Sequence, residues 1–118
     1  MDSSNTWREL NLSDFRKKIS DFINDRHWDS YHTPKSLAIA ISLEAAELLE
    51  YFLFQPDSFI PQNIDAFSEE MADIFIYIMS LANKLNIPSF SDVVLRKMEK
   101  NSIKYPIDQF SGKNYRKQ

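Results

Sequence analysis

Apolar residues recur at helical intervals of three and four in four stretches of the chain, which are separated by segments rich in proline and polar residues. The first stretch, residues 11–26, predicts a helix with Ser13 placed to cap its start. Its apolar face comprises Leu12, Phe15, Ile19, Phe22 and Ile23. A second helix is predicted from Pro34 to about Phe54, because Thr33 can cap it and proline suits a first helical turn.

Two further helices follow the break QPDSFIPQN. The third is the longest and begins after the candidate cap Asn63. Its apolar face comprises Phe67, Met71, Ile74, Ile78, Leu81 and Leu85. The fourth helix is predicted from its apolar residues Val93, Val94, Leu95 and Met98. It should stop near Tyr105, because Pro106 disfavours helical backbone in the residue before it.

Composition agrees with one all-α domain over residues 1–118, with flexible tails at residues 1–11 and 111–118. Hydrophobic residues make up 43% of the chain and glycine occurs once, which argues against disorder and against turn-rich β folds. The absence of cysteine excludes thiolate metal sites. A net charge of -3 disfavours binding to nucleic acid polymers, and no segment reads as a signal peptide or a membrane span. We therefore expect a cytoplasmic protein with no membrane partner.

Acidic residues interrupt the apolar faces of the second and third helices in the same way. Glu44 and Glu47 lie three residues apart, and Glu70 and Asp73 repeat this spacing, with Tyr77 one turn later on the same face. Four carboxylates that converge among apolar residues would repel one another unless a divalent cation compensated their charge. The pattern predicts a Mg²⁺ site in which Mn²⁺ can substitute. The alternative is that these side chains lie on solvated faces, as most glutamates do.

These residues resemble the MazG-like superfamily of all-α nucleoside triphosphate pyrophosphohydrolases, whose hallmark is E-x-x-E on one helix and E-x-x-D on the next. The segments WDSYHTPKSLAIAISLEAAELLEYF, EEMADIFIYIMSLA and KMEKNSIKYP look like the dCTP pyrophosphatase branch. The similarity extends over roughly residues 12–110. It implies Mg²⁺-dependent hydrolysis of a nucleoside triphosphate, dCTP or a modified dCTP, to the monophosphate and pyrophosphate. In this family the reaction removes unwanted nucleotides, and the enzymes are homodimers or homotetramers built as dimers of dimers.

The resemblance also assigns roles to individual residues. The metal ligands and catalytic residues would be Glu44, Glu47, Glu70 and Asp73. The substrate-binding residues would be Trp28, His32, Phe54, Tyr77, Lys97 and Asn101. Spacing adds Lys104, which follows Lys97 and Asn101 on one face of the fourth helix and could meet the outer phosphates. The chain departs from the branch at Ile19, where a histidine can help to hold the base, and at Phe54, where tryptophan is frequent. Both departures concern the base pocket and not the metal site.

Several of these residues have structural alternatives. Trp28 could cap the core instead of stacking on a base, and Phe54 could close the core at the end of the second helix. Lys97 and the polar residues that follow it on one helical face could form a solvated basic stripe. Glu50 and Glu69 are expected to be solvated.

The second and third helices are apolar almost all round, so the chain is expected to oligomerise. The same feature leaves a second class of function open. The chain could be a non-catalytic helical interaction module, with solvated acidic faces and apolar faces that bind a partner protein.

Overall fold

The computed structural model describes residues 10–112, which form helices and contain no strand. The four long helices are α1 (Leu12–Asp25), α2 (Pro34–Glu50), α3 (Ile64–Lys84) and α4 (Phe90–Lys104). A single 3₁₀ turn, Asp29–Tyr31, precedes α2. A four-residue helix that the sequence pattern did not predict, α5 (Ile107–Phe110), follows α4. The predicted all-α class with four long helices is confirmed, whereas most of the two predicted tails lies outside the described residues.

The helix caps show how the local sequence sets the boundaries. The Thr33 side chain accepts a hydrogen bond from the Ser36 backbone N–H, and Asn63 likewise caps α3, as predicted for both. The prediction for α1 was wrong, because Asn11 and not Ser13 is the cap. The Asn11 side chain accepts from the Asp14 N–H at 2.9 Å, and Asp14 accepts in return from the Asn11 N–H at 3.3 Å. This reciprocal pair satisfies two backbone donors, whereas Ser13, two residues later, already lies within the helix.

The second helix ends at Glu50, four residues earlier than predicted. Turns over residues 51–54 replace the last helical turn, and Phe54 takes a positive φ of 63°. Its side chain is fully exposed, so the alternative in which Phe54 closes the core is wrong. Pro56, which disfavours helical backbone in the residue before it, favours this early end.

Aromatic rings from the turn after α2 pack against α3 in place of Phe54. The Tyr51 and Phe52 rings both meet Phe67 edge to face, with centroids 5.2 Å and 5.6 Å away. Phe52 also meets Phe59 at 6.0 Å. These contacts join the end of α2 to the first turns of α3.

Within residues 10–87, α3 packs against both α1 and α2. The fully buried apolar residues are few, namely Ile23, Leu37, Met79 and Ala82. Polar contacts also join α3 to α1, since Arg16 Nε donates to Asn83 Oδ1 at 2.8 Å and Asn83 Nδ2 donates to the Arg16 carbonyl oxygen at 3.1 Å. The third helix is therefore the element on which the other two are assembled.

Residues 88–112 belong to a second unit. Ser89 caps α4, which ends at Lys104 with Tyr105 as its C-cap, as Pro106 predicted. The Tyr105 ring packs edge to face on Phe110, with centroids 5.1 Å apart. Across the described part of the chain, no helix has both the length and the apolar character needed to cross a membrane.

Candidate functional site

Glu44 and Glu47 of α2 approach Glu70 of α3. One carboxylate oxygen from each lies within 4.8 Å of those of the other two. Glu44 and Glu70 are partly buried, whereas Glu47 is exposed. The Oε2 atoms of Glu44 and Glu70 are buried and have no hydrogen-bond partner. The structure thus brings together three of the four carboxylates that the sequence pattern selected, and Glu50 and Glu69 are exposed as expected.

This crowding changes the acidity of Glu44. When Glu44 is protonated, its carboxyl can donate a hydrogen bond to the Glu70 carboxylate, and this is the largest cause that raises the pKa of Glu44 from 4.5 to about 7. Desolvation comes next, and the negative charges of Glu47 and Asp73 act in the same direction. The pair of facing carboxyls therefore needs either a shared proton or a cation.

The donor set fits a hard divalent cation. All three groups are carboxylates, which are the preferred ligands of Mg²⁺ and Mn²⁺. The two unpartnered oxygens are the atoms that such an ion would satisfy.

Asp73 lies at the edge of this carboxylate cluster. It is exposed, and it is not one of the three residues whose oxygens lie within 4.8 Å of one another. Its charge nevertheless raises the pKa of Glu44, so the two groups are close enough to interact. Asp73 also lines the larger cavity. It is therefore the residue that both lines this cavity and interacts with the carboxylate cluster.

The cavity has a volume of about 600 Å³, within the range of about 300–1,000 Å³ that is usual for small-molecule sites. Its apolar walls come from both α1 and α3 and comprise Phe15, Ile19, Phe22, Ile23, Ala72, Phe75 and Ile76. Its polar lining comprises Lys18, His32, Asp73, Tyr77 and Ser80. Trp28 completes the wall from the turn before α2. An apolar slot with a few polar groups suits a flat heteroaromatic ring.

Three of the predicted substrate-binding residues, Trp28, His32 and Tyr77, share this cavity. Trp28 is 45% exposed, and its ring meets Phe22 edge to face with centroids 5.9 Å apart. This exposure favours the prediction of a binding surface over the alternative of a core cap. His32 is partly buried, and its Nδ1 atom is buried without a hydrogen-bond partner. That nitrogen is available to a ligand or to water.

The other four predicted residues do not line this cavity. Phe54 is fully exposed in the turn after α2. Lys97, Asn101 and Lys104 lie at intervals of four and three on α4, with both lysines exposed. The substrate contacts assigned to these four residues stay predictions.

Sequence reasoning missed most of the cavity wall. The helical spacing of Phe15, Phe22 and Ile23 predicts the apolar face of a core helix, yet the same residues line the cavity. No feature of the sequence pattern indicates that Lys18 and Ser80 line a cavity. Helical periodicity marks a face that avoids water, and it does not distinguish a packed core from the wall of a ligand slot.

A second and smaller cavity of about 230 Å³ adjoins the first, and Ile23, His32 and Ser80 line both. Its remaining lining is polar and comprises Ser20, Asn24, Asp29, Asn83 and Lys84. His32 and Ser80 thus form part of a wall between an apolar slot and a polar chamber.

Comparison with known proteins gives a consistent picture. The MazG-like family model matches residues 39–117. A dCTP pyrophosphatase 1 from Bos taurus is 33% identical over an alignment of 110 residues, which covers 88% of this chain and 64% of that protein. The dCTP pyrophosphatase 1 of Homo sapiens is 32% identical over 104 residues, covering 83% of this chain and 61% of the human protein. The chain therefore spans less than two thirds of the length of these curated relatives.

A solved structure is also similar. The crystal structure of a pyrophosphatase from Archaeoglobus fulgidus superposes with a TM-score of 0.74 at 36% sequence identity. The similarity covers 83% of this chain and 94% of the archaeal one. The fold is thus shared with a protein whose name describes a pyrophosphatase.

The raised pKa of Glu44 predicts how stability depends on pH in the metal-free protein. The folded state holds this proton more tightly than the unfolded chain does. The resulting stabilisation is complete below about pH 4.5 and is lost as pH rises through about 7. Glu44→Gln has no carboxyl at position 44 that could lose a proton. In the presence of a chelator, the melting temperature of Glu44→Gln minus that of the wild type should therefore increase from about pH 5 to about pH 8.

Glu50→Gln is the matched control, because Glu50 lies on the same helix and is exposed. Its melting temperature relative to the wild type should stay nearly constant over the same range. If the Glu44→Gln difference is equally constant, the carboxyls of Glu44 and Glu70 do not interact as described.

Proposed function

We propose that this chain, which belongs to the MazG-like family, is a Mg²⁺-dependent nucleoside triphosphate pyrophosphohydrolase. The observation that supports this most directly is the pair of buried, unpartnered oxygens of Glu44 and Glu70 beside an aromatic-walled cavity. A polyanionic substrate would be repelled by the carboxylate cluster alone. A triphosphate is the kind of ligand that such a cluster holds through divalent cations.

The substrate we propose is a pyrimidine deoxynucleoside triphosphate, dCTP or a modified dCTP. The names of the curated relatives support cytosine. The cavity supports a flat base, since Trp28 can stack on it while Tyr77 and His32 offer polar atoms at the wall. Ile19 lines the same cavity, so the base would meet an aliphatic side chain there.

Individual residues of the chain would have distinct roles in holding the cation, accepting a proton and orienting the nucleoside. When bound, a divalent cation supplies positive charge opposite the phosphate oxygens and activates water for attack. Glu44, Glu47 and Glu70 would hold it, and Asp73, which lines the cavity, would complete the set. Glu47 is the exposed member of the cluster, so its other carboxylate oxygen can take a proton from the attacking water. The apolar cavity orients the nucleoside so that the α-phosphorus lies near the carboxylates.

Cleavage between the α and β phosphorus atoms follows from this arrangement. The nucleoside is held in a cavity that shares Asp73 with the carboxylate cluster, so the phosphate nearest the sugar is also the nearest to the cluster. The products would be the nucleoside monophosphate and pyrophosphate.

We propose that the working form is a homodimer or a dimer of dimers. The first unit buries few apolar residues completely, yet α2 exposes Ile39, Leu43 and Leu49 by half or more of their surface. A helix with exposed apolar residues of this kind is normally covered by another helix, and a second copy of the chain supplies one. Sedimentation analysis that gave a monomer at all concentrations would contradict this.

The role of Glu70 as a metal ligand can be tested by comparison with its neighbour Glu69. Glu70→Gln should lower kcat by about 100-fold or more, because the amide keeps the volume and loses the charge of a ligand. Glu69→Gln is the control, since Glu69 is the neighbouring exposed residue and should be nearly silent. In ¹⁸O-labelled water the wild-type enzyme should place the label in the monophosphate, because water joins the α-phosphorus.

Two results would refute the proposal. One is equal activity of the two variants. The other is release of orthophosphate and a diphosphate, which requires attack at the γ-phosphorus. If no nucleotide in a full panel is hydrolysed with Mg²⁺ or Mn²⁺, the chain is a non-catalytic interaction module.

The base pocket can be tested at Trp28. Trp28→Ala should raise KM by about 5- to 150-fold, because stacking on a base contributes about 1–3 kcal/mol. Trp28→Phe should recover part of the loss, since it keeps an aromatic face. Tyr31→Ala is the matched control, because Tyr31 is an exposed aromatic in the same turn that does not line the cavity. Equal KM values for Trp28→Ala and Tyr31→Ala would contradict a stacking role.

A further inference from the structure

The turn between α1 and α2 carries two of the cavity residues, Trp28 and His32. Local hydrogen bonds shape this turn. The Trp28 N–H donates to the Ile23 carbonyl oxygen at 3.1 Å, and the Tyr31 N–H donates to the Trp28 carbonyl oxygen at 3.0 Å. These bonds determine the path of the turn but do not tie it to α3. The distance from Trp28 to the residues of α3 therefore depends on other contacts.

Lys84, the last residue of α3, makes such a contact. Its Nζ atom lies 2.8 Å from Asp29 Oδ1 and donates to the Asp29 carbonyl oxygen at 2.9 Å. The same carbonyl oxygen accepts from the His32 N–H at 3.1 Å. Lys84 thus binds the Asp29 carbonyl group, whose hydrogen bond with the His32 N–H forms the turn. Asp29 directly follows Trp28 in the chain.

The preceding residue, Asn83, anchors α1 in a similar way through its two hydrogen bonds with Arg16. Two consecutive residues at the end of α3 therefore hold the two other walls of the cavity. One wall is α1 and the other is the turn. The third wall is α3 itself, which carries Asp73 and Tyr77.

We propose that Lys84 and Asp29 form a clasp that positions Trp28 and His32 against the Asp73 and Tyr77 face of α3, and so sets the affinity for the nucleoside. This inference rests on the proposed function. Lys84 is a positioning residue here, because it contacts the turn and lines the smaller cavity but not the proposed base pocket. The Lys84 side chain is 26% exposed and that of Asp29 is 63% exposed, so the ion pair should add little to overall stability. Its effect should appear in the geometry of the cavity.

The kinetic test replaces Lys84 with methionine, which keeps the length of the side chain and loses the charge. Lys84→Met should raise KM roughly two- to fivefold and leave kcat nearly unchanged, as expected for the loss of an exposed ion pair that acts on binding alone. Lys84→Arg should restore a KM near that of the wild type. Lys17→Met is the matched control, because Lys17 forms an exposed ion pair with Asp21 at 2.8 Å and lines neither cavity.

A second measurement needs no activity. With Trp7 replaced by phenylalanine, Trp28 is the one remaining tryptophan of the chain, and acrylamide quenching of its fluorescence reports how well the turn is held. Lys84→Met and Asp29→Asn should both increase quenching in the nucleotide-free protein, and Lys17→Met should not. High salt should increase quenching of the parent protein and have little effect on Lys84→Met.

The two proposals fail in different ways. A wild-type protein that releases no pyrophosphate refutes the proposed function, while the quenching comparison still decides the clasp. Quenching that is the same in Lys84→Met, Asp29→Asn and the Trp7→Phe parent refutes the clasp, whatever the activity. A fall in kcat with no change in KM for Lys84→Met also refutes it, because positioning of the nucleoside would then not be what the pair controls.

Discussion

Electrostatic repulsion among carboxylates on α2 and α3 is the constraint on which the rest of the structure depends. Three glutamate oxygens lie within 4.8 Å of one another, and two of the glutamates each carry a buried oxygen without a donor. Like charges at such distances oppose the close packing of their helices. Apolar packing along the helices and the Tyr51, Phe52 and Phe67 rings at the end of α2 act against this repulsion. A cation that binds at the cluster removes the repulsion, so its binding and the packing of the two helices stabilise each other.

The third helix organises the whole candidate site along its length. Glu70 lies in its first half within the carboxylate cluster, Asp73 and Tyr77 follow on the cavity face, and Asn83 and Lys84 at its end anchor α1 and the turn. A displacement of this one helix would change the carboxylate cluster and the larger cavity together. The order along α3 also places the proposed triphosphate chain and the proposed base at successive positions on one surface.

How much could be predicted from the sequence depends on the length scale of each signal. The helices, the Thr33 and Asn63 caps and the paired carboxylates are encoded by residues within one or two helical turns, so periodicity and capping rules find them. The end of α2 differs from the prediction because the apolar pattern continues to Phe54, whereas the folded chain packs Tyr51 and Phe52 on Phe67 and leaves Phe54 exposed. The cavity wall on α1 and the bond between Lys84 and Asp29 were missed for the same reason. Both depend on which surfaces face each other after folding, and the contact between Lys84 and Asp29 joins residues 55 positions apart.

The measurement that tests the central claim most directly is titration with Mn²⁺, with the free ion followed by electron paramagnetic resonance. The wild-type chain and Glu69→Gln should bind Mn²⁺ alike, and Mg²⁺ should displace it. Glu70→Gln should weaken this binding by about tenfold or more, since it removes one charged ligand from the cluster. If all three proteins bind Mn²⁺ equally, or none binds it, the carboxylates of α2 and α3 do not form the metal site on which this account of the protein depends.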